Sequence, residues 1–119
     1  MSEEKTYTGG CHCGAVRYEA TTKLEGGATC NCSICSKAGT VLTFVPTTGF
    51  KVLSGEDKLT EYRFHKKNIA HLFCSVCGIK SFARGKRPDG SDMIAINLRC
   101  LDDLDLSKVP TREYDGKSL

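Results

Sequence analysis

The sequence predicts a mainly β domain organised around cysteine-bound metal, and three observations carry that expectation. Short runs of β-branched and aromatic residues recur between Gly, Pro, Asn and Asp punctuation, the pattern of strands joined by tight turns. Stretches with room for a helix are few and about one turn long. The third observation is the placing of the 8 Cys, seven of which fall in three tight motifs, with Cys100 alone.

The strands follow in order. Residues 15–20 read as the first, and 41–45, 50–53, 59–64, 69–73, 80–84 and 93–98 as the next candidates. Turns are marked by Pro46-Thr47-Thr48-Gly49, Ser54-Gly55-Glu56-Asp57 and Pro88-Asp89-Gly90-Ser91. One helical turn is expected over Ser33–Ala38 ahead of Gly39, and another over 101–106, where Asp102, Asp103 and Asp105 suit caps and turns better than a long helix. The polar tail 111–119 is expected to run over the surface, as an ordered extension or frayed. No repeat beyond the Cys-rich turns and no low-complexity linker divides the chain, so residues 1–119 are expected to form one domain, which can bury roughly two-thirds of its unfolded surface.

Composition narrows the function classes. Met1-Ser2-Glu3-Glu4-Lys5 is polar and no apolar h-region follows it, so a reducing cytoplasmic setting is expected. In that compartment clustered Cys point to metal ligation more than to disulfides, whose pairing an even count of eight would leave open among about 105 connectivities. Apolar runs such as Ile94-Ala95-Ile96 are strand-sized, far short of the roughly 20 residues of a membrane-spanning helix. The formal charge of +3 would be cancelled by two Zn²⁺ and seven thiolates, which weakens any nucleic-acid reading based on net charge. The basic stretches 63–67 and 84–87 read as solvated surface, with no aromatic-interleaved platform of the kind that stacks bases. Neither a Gly-x-Ser-x-Gly elbow nor a phosphate-binding loop occurs.

The cysteine motifs carry the chemistry. Cys74-Ser75-Val76-Cys77-Gly78 has the form of a zinc knuckle, in which Gly78 is free to take positive φ while backbone amides point at sulfur. Cys11-His12-Cys13-Gly14 is its natural partner, and four thiolates would make a closed structural site with no position for substrate. His12 then faces solvent or hydrogen-bonds.

Cys30-Asn31-Cys32-Ser33-Ile34-Cys35 instead places three sulfurs in one loop, which makes an open fourth position plausible. The competing structural reading brings a fourth ligand from Cys100, His65 or His71, or shares one of the outer cysteines. Cys100 reads as a small buried hydrophobe, His65 as exposed on a turn, and His71 as a hydrogen-bonded strand residue.

These motifs, quoted with their flanks as Gly10-Cys11-His12-Cys13-Gly14-Ala15-Val16, Cys30-Asn31-Cys32-Ser33-Ile34-Cys35 and Phe73-Cys74-Ser75-Val76-Cys77-Gly78, resemble the glutathione-dependent formaldehyde-activating enzyme family, which also includes centromere protein V. The resemblance runs from Gly10 through Asn97-Leu98-Arg99 to Tyr114-Asp115-Gly116. It implies an Mss4-like fold of short antiparallel sheets with two Zn²⁺ sites: a structural one at Cys11, Cys13, Cys74 and Cys77, and a catalytic one at Cys30, Cys32 and Cys35. The activity it implies is carbon-sulfur lyase chemistry, in which glutathione and formaldehyde join as S-hydroxymethylglutathione or separate again. The expected partner is thus a small thiol such as glutathione. The reading set against it is a zinc-stabilised module that binds protein or nucleic acid and catalyses nothing.

Overall fold

Strand pairing builds two sheets, seen in a computed structural model that describes residues 4–24, 26–63, 69–86 and 89–114. The strands are β1 (Lys5–Gly10), β2 (Arg17–Thr22), β3 (Gly27–Cys30), β4 (Leu42–Pro46), β5 (Phe50–Ser54), β6 (Leu59–Tyr62), β7 (Ala70–Cys74), β8 (Phe82–Lys86), β9 (Asp92–Asn97) and β10 (Thr111–Tyr114), with one α-helix, α1 (Ser33–Ala38). Three strands form a small sheet in the order β1-β2-β5, and seven form a large one, β10-β3-β4-β9-β8-β7-β6. Every pairing is antiparallel except β10 with β3, which is parallel. The expected mainly β architecture is therefore present.

The main core lies between the sheets. Tyr18 and Phe82 are fully buried, and with Phe50 they form an aromatic trio with ring centroids 4.7 to 5.7 Å apart. Val45, Leu72, Ile94 and Ile96 of the large sheet complete it. The opposite face of the same sheet carries a second, smaller cluster in which Cys35 and Leu42 pack on Ala83 and Ala95. Small residues there leave room for α1 to lie close. The helix begins at Cys32, whose carbonyl accepts from the Ser36 amide at 2.9 Å, and it ends at Gly39, whose φ of 69° suits a residue without Cβ.

Several expectations need correction. Strands β1 and β3 lie outside the expected set: Gly27–Cys30 lacks β-branched and aromatic density, and in Lys5–Gly10 the run Thr6-Tyr7-Thr8 is short and closed by two glycines, so pairing with neighbours makes both. Gly27 belongs there for steric reasons, since a Cβ would sit 2.8 Å from both Leu98 and Val41. The expected turn of helix over 101–106 is absent. Leu101 instead bridges Gly9, and Asp102 accepts from Thr8 Oγ1 at 2.9 Å and pairs with Arg17. A short 3₁₀ turn follows at Leu106–Lys108, with the Asp105 carboxylate accepting from the Ser107 amide. The strand expected over 80–84 begins two residues later, because Lys80 and Ser81 turn the chain out of the knuckle. The expected 59–64 strand ends at Tyr62, and Phe64 lies outside the described residues. Of the tail, Thr111–Tyr114 is an ordered edge strand whose Tyr114 lies opposite Cys30.

The two sheet faces predict different sensitivities. Phe82→Ala should lower unfolding free energy by about 3–5 kcal/mol, whereas Phe44→Ala, at a side chain 46% exposed, should change it by about 0.5 kcal/mol or less. Urea denaturation of the two variants checks this, and equal losses would contradict a main core on the Phe82 face.

Candidate metal centres and the cleft beside them

Two groups of sulfurs converge. Cys11, Cys13, Cys74 and Cys77 place their Sγ atoms within 4.8 Å of one another, and so, separately, do Cys30, Cys32 and Cys35. In the first group the Cys11–Cys13 and Cys13–Cys74 separations are 3.6 and 3.7 Å. Those values are far longer than a disulfide bond of about 2.05 Å. They match the edge of about 3.8 Å of a tetrahedron with metal–sulfur bonds of about 2.3 Å.

The backbone is folded to serve these sulfurs. In the knuckle the Gly78 amide donates to the Cys74 carbonyl at 2.8 Å, the Cys74 amide donates to Ile79, and Gly78 takes a φ of 81°. The Val76 amide points at Cys74 Sγ at 3.4 Å, and the Val16 amide at Cys11 Sγ at 3.3 Å. Four thiolates this close repel one another, and the pKa values divide accordingly. The amides of Ile79 and Cys13 hold Cys77 down at about 6. The Ala15 amide favours the Cys13 thiolate, yet desolvation and the thiols of Cys11, Cys74 and Cys77 push it up to about 11. A divalent cation is what lets all four ionise together, so the donor set fits the metal that it resembles a site for.

The three-sulfur group sits where β3 enters α1. Cys30 ends the strand, Cys32 starts the helix, and Cys35 lies one turn inside, buried against Ala83 and Ala95. Burial raises the Cys32 thiol, but the Cys35 and Ile34 amides and the neighbouring thiols outweigh it and draw it down. Burial and the ionised Cys32 push Cys35 up to about 12. Among the described residues no fourth cysteine, histidine or carboxylate joins this group. Cys100 and His71 are therefore outside it, the outer cysteines form their own group, and His65 lies outside the described residues.

The remaining sequence candidates fall into place. His12 is exposed. Cys100 is partly buried, and its thiol donates to the Lys80 carbonyl at 3.8 Å. His71 is a buried, hydrogen-bonded strand residue, its Nδ1 2.9 Å from Lys80 Nζ. Burial and the adjacent ammonium hold its pKa near 4, so at neutral pH the imidazole is uncharged. Among the described parts of the two basic stretches, Arg63 pairs with Glu61 and Lys86 with Asp92 at the surface.

Lys80 is the residue that sequence reading missed. Burial lowers its pKa, and its ammonium lies 2.9 Å from Nδ1 of His71, the strand partner of Ala83, on which Cys35 packs. Strand register supplies the surroundings. Phe44, Ala95, Ala83, His71 and Tyr62 lie directly opposite one another across five strands, forming one rung on the face that carries α1. The two alanines are covered by Cys35, while Phe44 and Tyr62 at the ends are 46% and 51% exposed. Between α1 and β6 a cleft of about 240 Å³ is lined by Ser33, Ile34, Lys37 and Tyr62. A depression of similar size, lined by Thr47, Arg63, Arg84 and Lys86 among others, has no residue of α1 in its lining.

Known proteins are similar to this chain in fold and sequence. A crystal structure of a Rhodobacter sphaeroides protein superposes with a TM-score of 0.76 at 29% identity, over 88% of this chain and 99% of that one. The model of the glutathione-dependent formaldehyde-activating enzyme family matches residues 6–114, a span that holds both sulfur groups, the knuckle and the α1 cleft. With nearly its whole length matched and its cysteines gathered in two groups, the chain belongs to the glutathione-dependent formaldehyde-activating enzyme family.

Proposed function

We propose that this protein is a cytoplasmic, zinc-dependent carbon-sulfur lyase that makes or breaks the adduct of a small thiol with formaldehyde, with glutathione as the thiol. The observation that carries the reading is the inequality of the two sulfur groups: four sulfurs in one, three in the other beside an open cleft. Four thiolates complete a tetrahedral ion, and three leave a position.

Cys11, Cys13, Cys74 and Cys77 would hold the structural ion, and Cys30, Cys32 and Cys35 the other. At that second position a zinc ion supplies a Lewis acid that keeps an added thiol ionised near neutral pH. The protein's own residues do the rest. Cys35, seated on Ala83 and Ala95, anchors the loop to the sheet, and Cys30 and Cys32 pack at the margin of the same cluster. Ile34 and Tyr62 offer apolar walls to the body of the thiol, and Lys37 at the cleft offers a cation to a carboxylate of the tripeptide. Holding two small reactants in one cleft converts an encounter into an intramolecular step, a large share of what such a reaction needs. The chemistry is an addition: one carbon–sulfur bond forms, the carbonyl becomes a hydroxymethyl group, and nothing is oxidised.

Exchange spectroscopy on an equilibrium mixture of glutathione and formaldehyde tests the activity. Zinc-loaded protein should speed interconversion with S-hydroxymethylglutathione well beyond buffer, and Cys32→Ser should abolish that gain. Equal rates for buffer, wild type and variant would sink the glutathione reading.

The division of labour between the sites has its own test. Cys74→Ser should unfold the domain, because ion binding worth roughly 10 kcal/mol or more is folding energy in a small zinc protein. Cys35→Ser should keep the fold while metal content drops from about two equivalents to about one, given two separate donor groups. Thermal melts with metal analysis decide, and unfolding of Cys35→Ser would make the second site structural.

A further inference from the structure

Lys80 is held more firmly than a surface lysine. Its carbonyl accepts from the buried Asn97 side-chain amide at 3.0 Å and from the Cys100 thiol at 3.8 Å. The Asn97 amide nitrogen of the backbone donates to the carbonyl of the next residue, Ser81, at 3.0 Å. The side chain is fixed in turn, with Nζ 2.9 Å from His71 Nδ1. No ion pair joins Lys80 to a carboxylate among the described residues, and an ammonium withdrawn from water without a carboxylate is costly. What lies beside it instead is the three-sulfur loop: His71 is the register partner of Ala83, and Cys35 packs on Ala83.

A lysine ammonium has three donors. A neutral His71 takes one, which leaves two for other acceptors. The metal-binding role uses none of them. We propose that Lys80 is a catalytic residue that donates a hydrogen bond to the aldehyde oxygen as the thiol sulfur adds to the carbon, and that His71 is a positioning residue that aims it. This rests on the thiol-adduct reading above. In the addition the sulfur lone pair forms the C–S bond, the C=O π pair moves onto oxygen, and that oxygen then takes a proton from water in exchange for the one the thiol released. Lys80 stabilises the charge on oxygen in between, as preorganised donors do wherever an oxyanion develops. In the reverse direction the same contact is made as the C–S bond breaks.

The test separates binding from turnover. Calorimetric titration of zinc-loaded protein would compare mercaptoacetate, which carries an anionic oxygen close to its sulfur, with ethanethiol, which carries none. Wild type should prefer mercaptoacetate by about tenfold, the scale of one hydrogen bond to a charged group. Lys80→Met should erase that preference and lower kcat for adduct exchange by about 10²-fold with little change in KM for the thiol. Lys80→Arg should keep most of both, and His71→Asn should lower kcat less than Lys80→Met does. Zinc content should be unchanged in all three variants, and the melting temperature of Lys80→Met unchanged or raised, since a half-buried charge has been removed.

Retention of the mercaptoacetate preference in Lys80→Met would overturn the proposal, as would equal losses in Lys80→Arg and Lys80→Met, which would mean that charge is not what acts. Failure of wild type to bind either thiol is a different result. It would remove the thiol site itself.

Discussion

Four sulfurs drawn from opposite ends of the chain's core must share one small volume, and much of the architecture follows from that demand. Cys11 and Cys13 lie in the turn between β1 and β2 of the small sheet, and Cys74 closes β7 of the large one. An ion held by all four would staple sheet to sheet at one edge of the interface that Tyr18, Phe50 and Phe82 fill. A chain of this size has a modest apolar core, so such a staple contributes a large fraction of its stability. The same convergence explains the glycines at the turns: Gly14 and Gly78 take φ values of 85° and 81°, which lets amides rather than carbonyls face the sulfurs.

The staple also reaches the other site. In an extended strand residues an odd number apart face opposite sides, so Cys74 of β7 lies in the main core while His71, three positions earlier, faces α1. Beyond the knuckle the chain emerges at Lys80, whose peptide is clamped by Asn97 and Cys100. The structural group therefore fixes both members of the Lys80–His71 pair without touching the three-sulfur group. Damage at Cys74 is transmitted to chemistry through geometry and not only through loss of fold.

Much of this was legible in the residues. Strands rich in β-branched and aromatic residues declared themselves, as did the helical turn ahead of Gly39, and the spacing of seven cysteines separated a four-sulfur set from a three-sulfur set. What was not legible depends on partners distant in sequence. Gly27–Cys30 has no strand composition of its own and is a strand because β4 and β10 flank it. Thr111–Tyr114, polar and exposed, pairs through backbone alone. Lys80 carries no signal in its neighbours, since its contacts come from His71, Asn97 and Cys100, which lie 9, 17 and 20 positions away.

The two faces of the large sheet show why the site formed where it did. One face is filled by Phe82, Ile94 and Ile96 and has no space for a polar ligand. On the other, alanines at positions 83 and 95 lie at the middle of a rung whose ends are Phe44 and Tyr62, so the centre of that face is low and its margins are high. The loop and short helix that carry the three thiols settle into the low centre, and no larger side chain at 83 or 95 would admit Cys35 at the same depth. Burial of Cys35 raises its cost of ionisation, and that cost is offset only by positive charge: from the metal the three sulfurs are suited to hold, and from an ammonium held beside it. The metal would carry most of that charge balance, which leaves the Lys80 ammonium on the same face for the substrate oxygen.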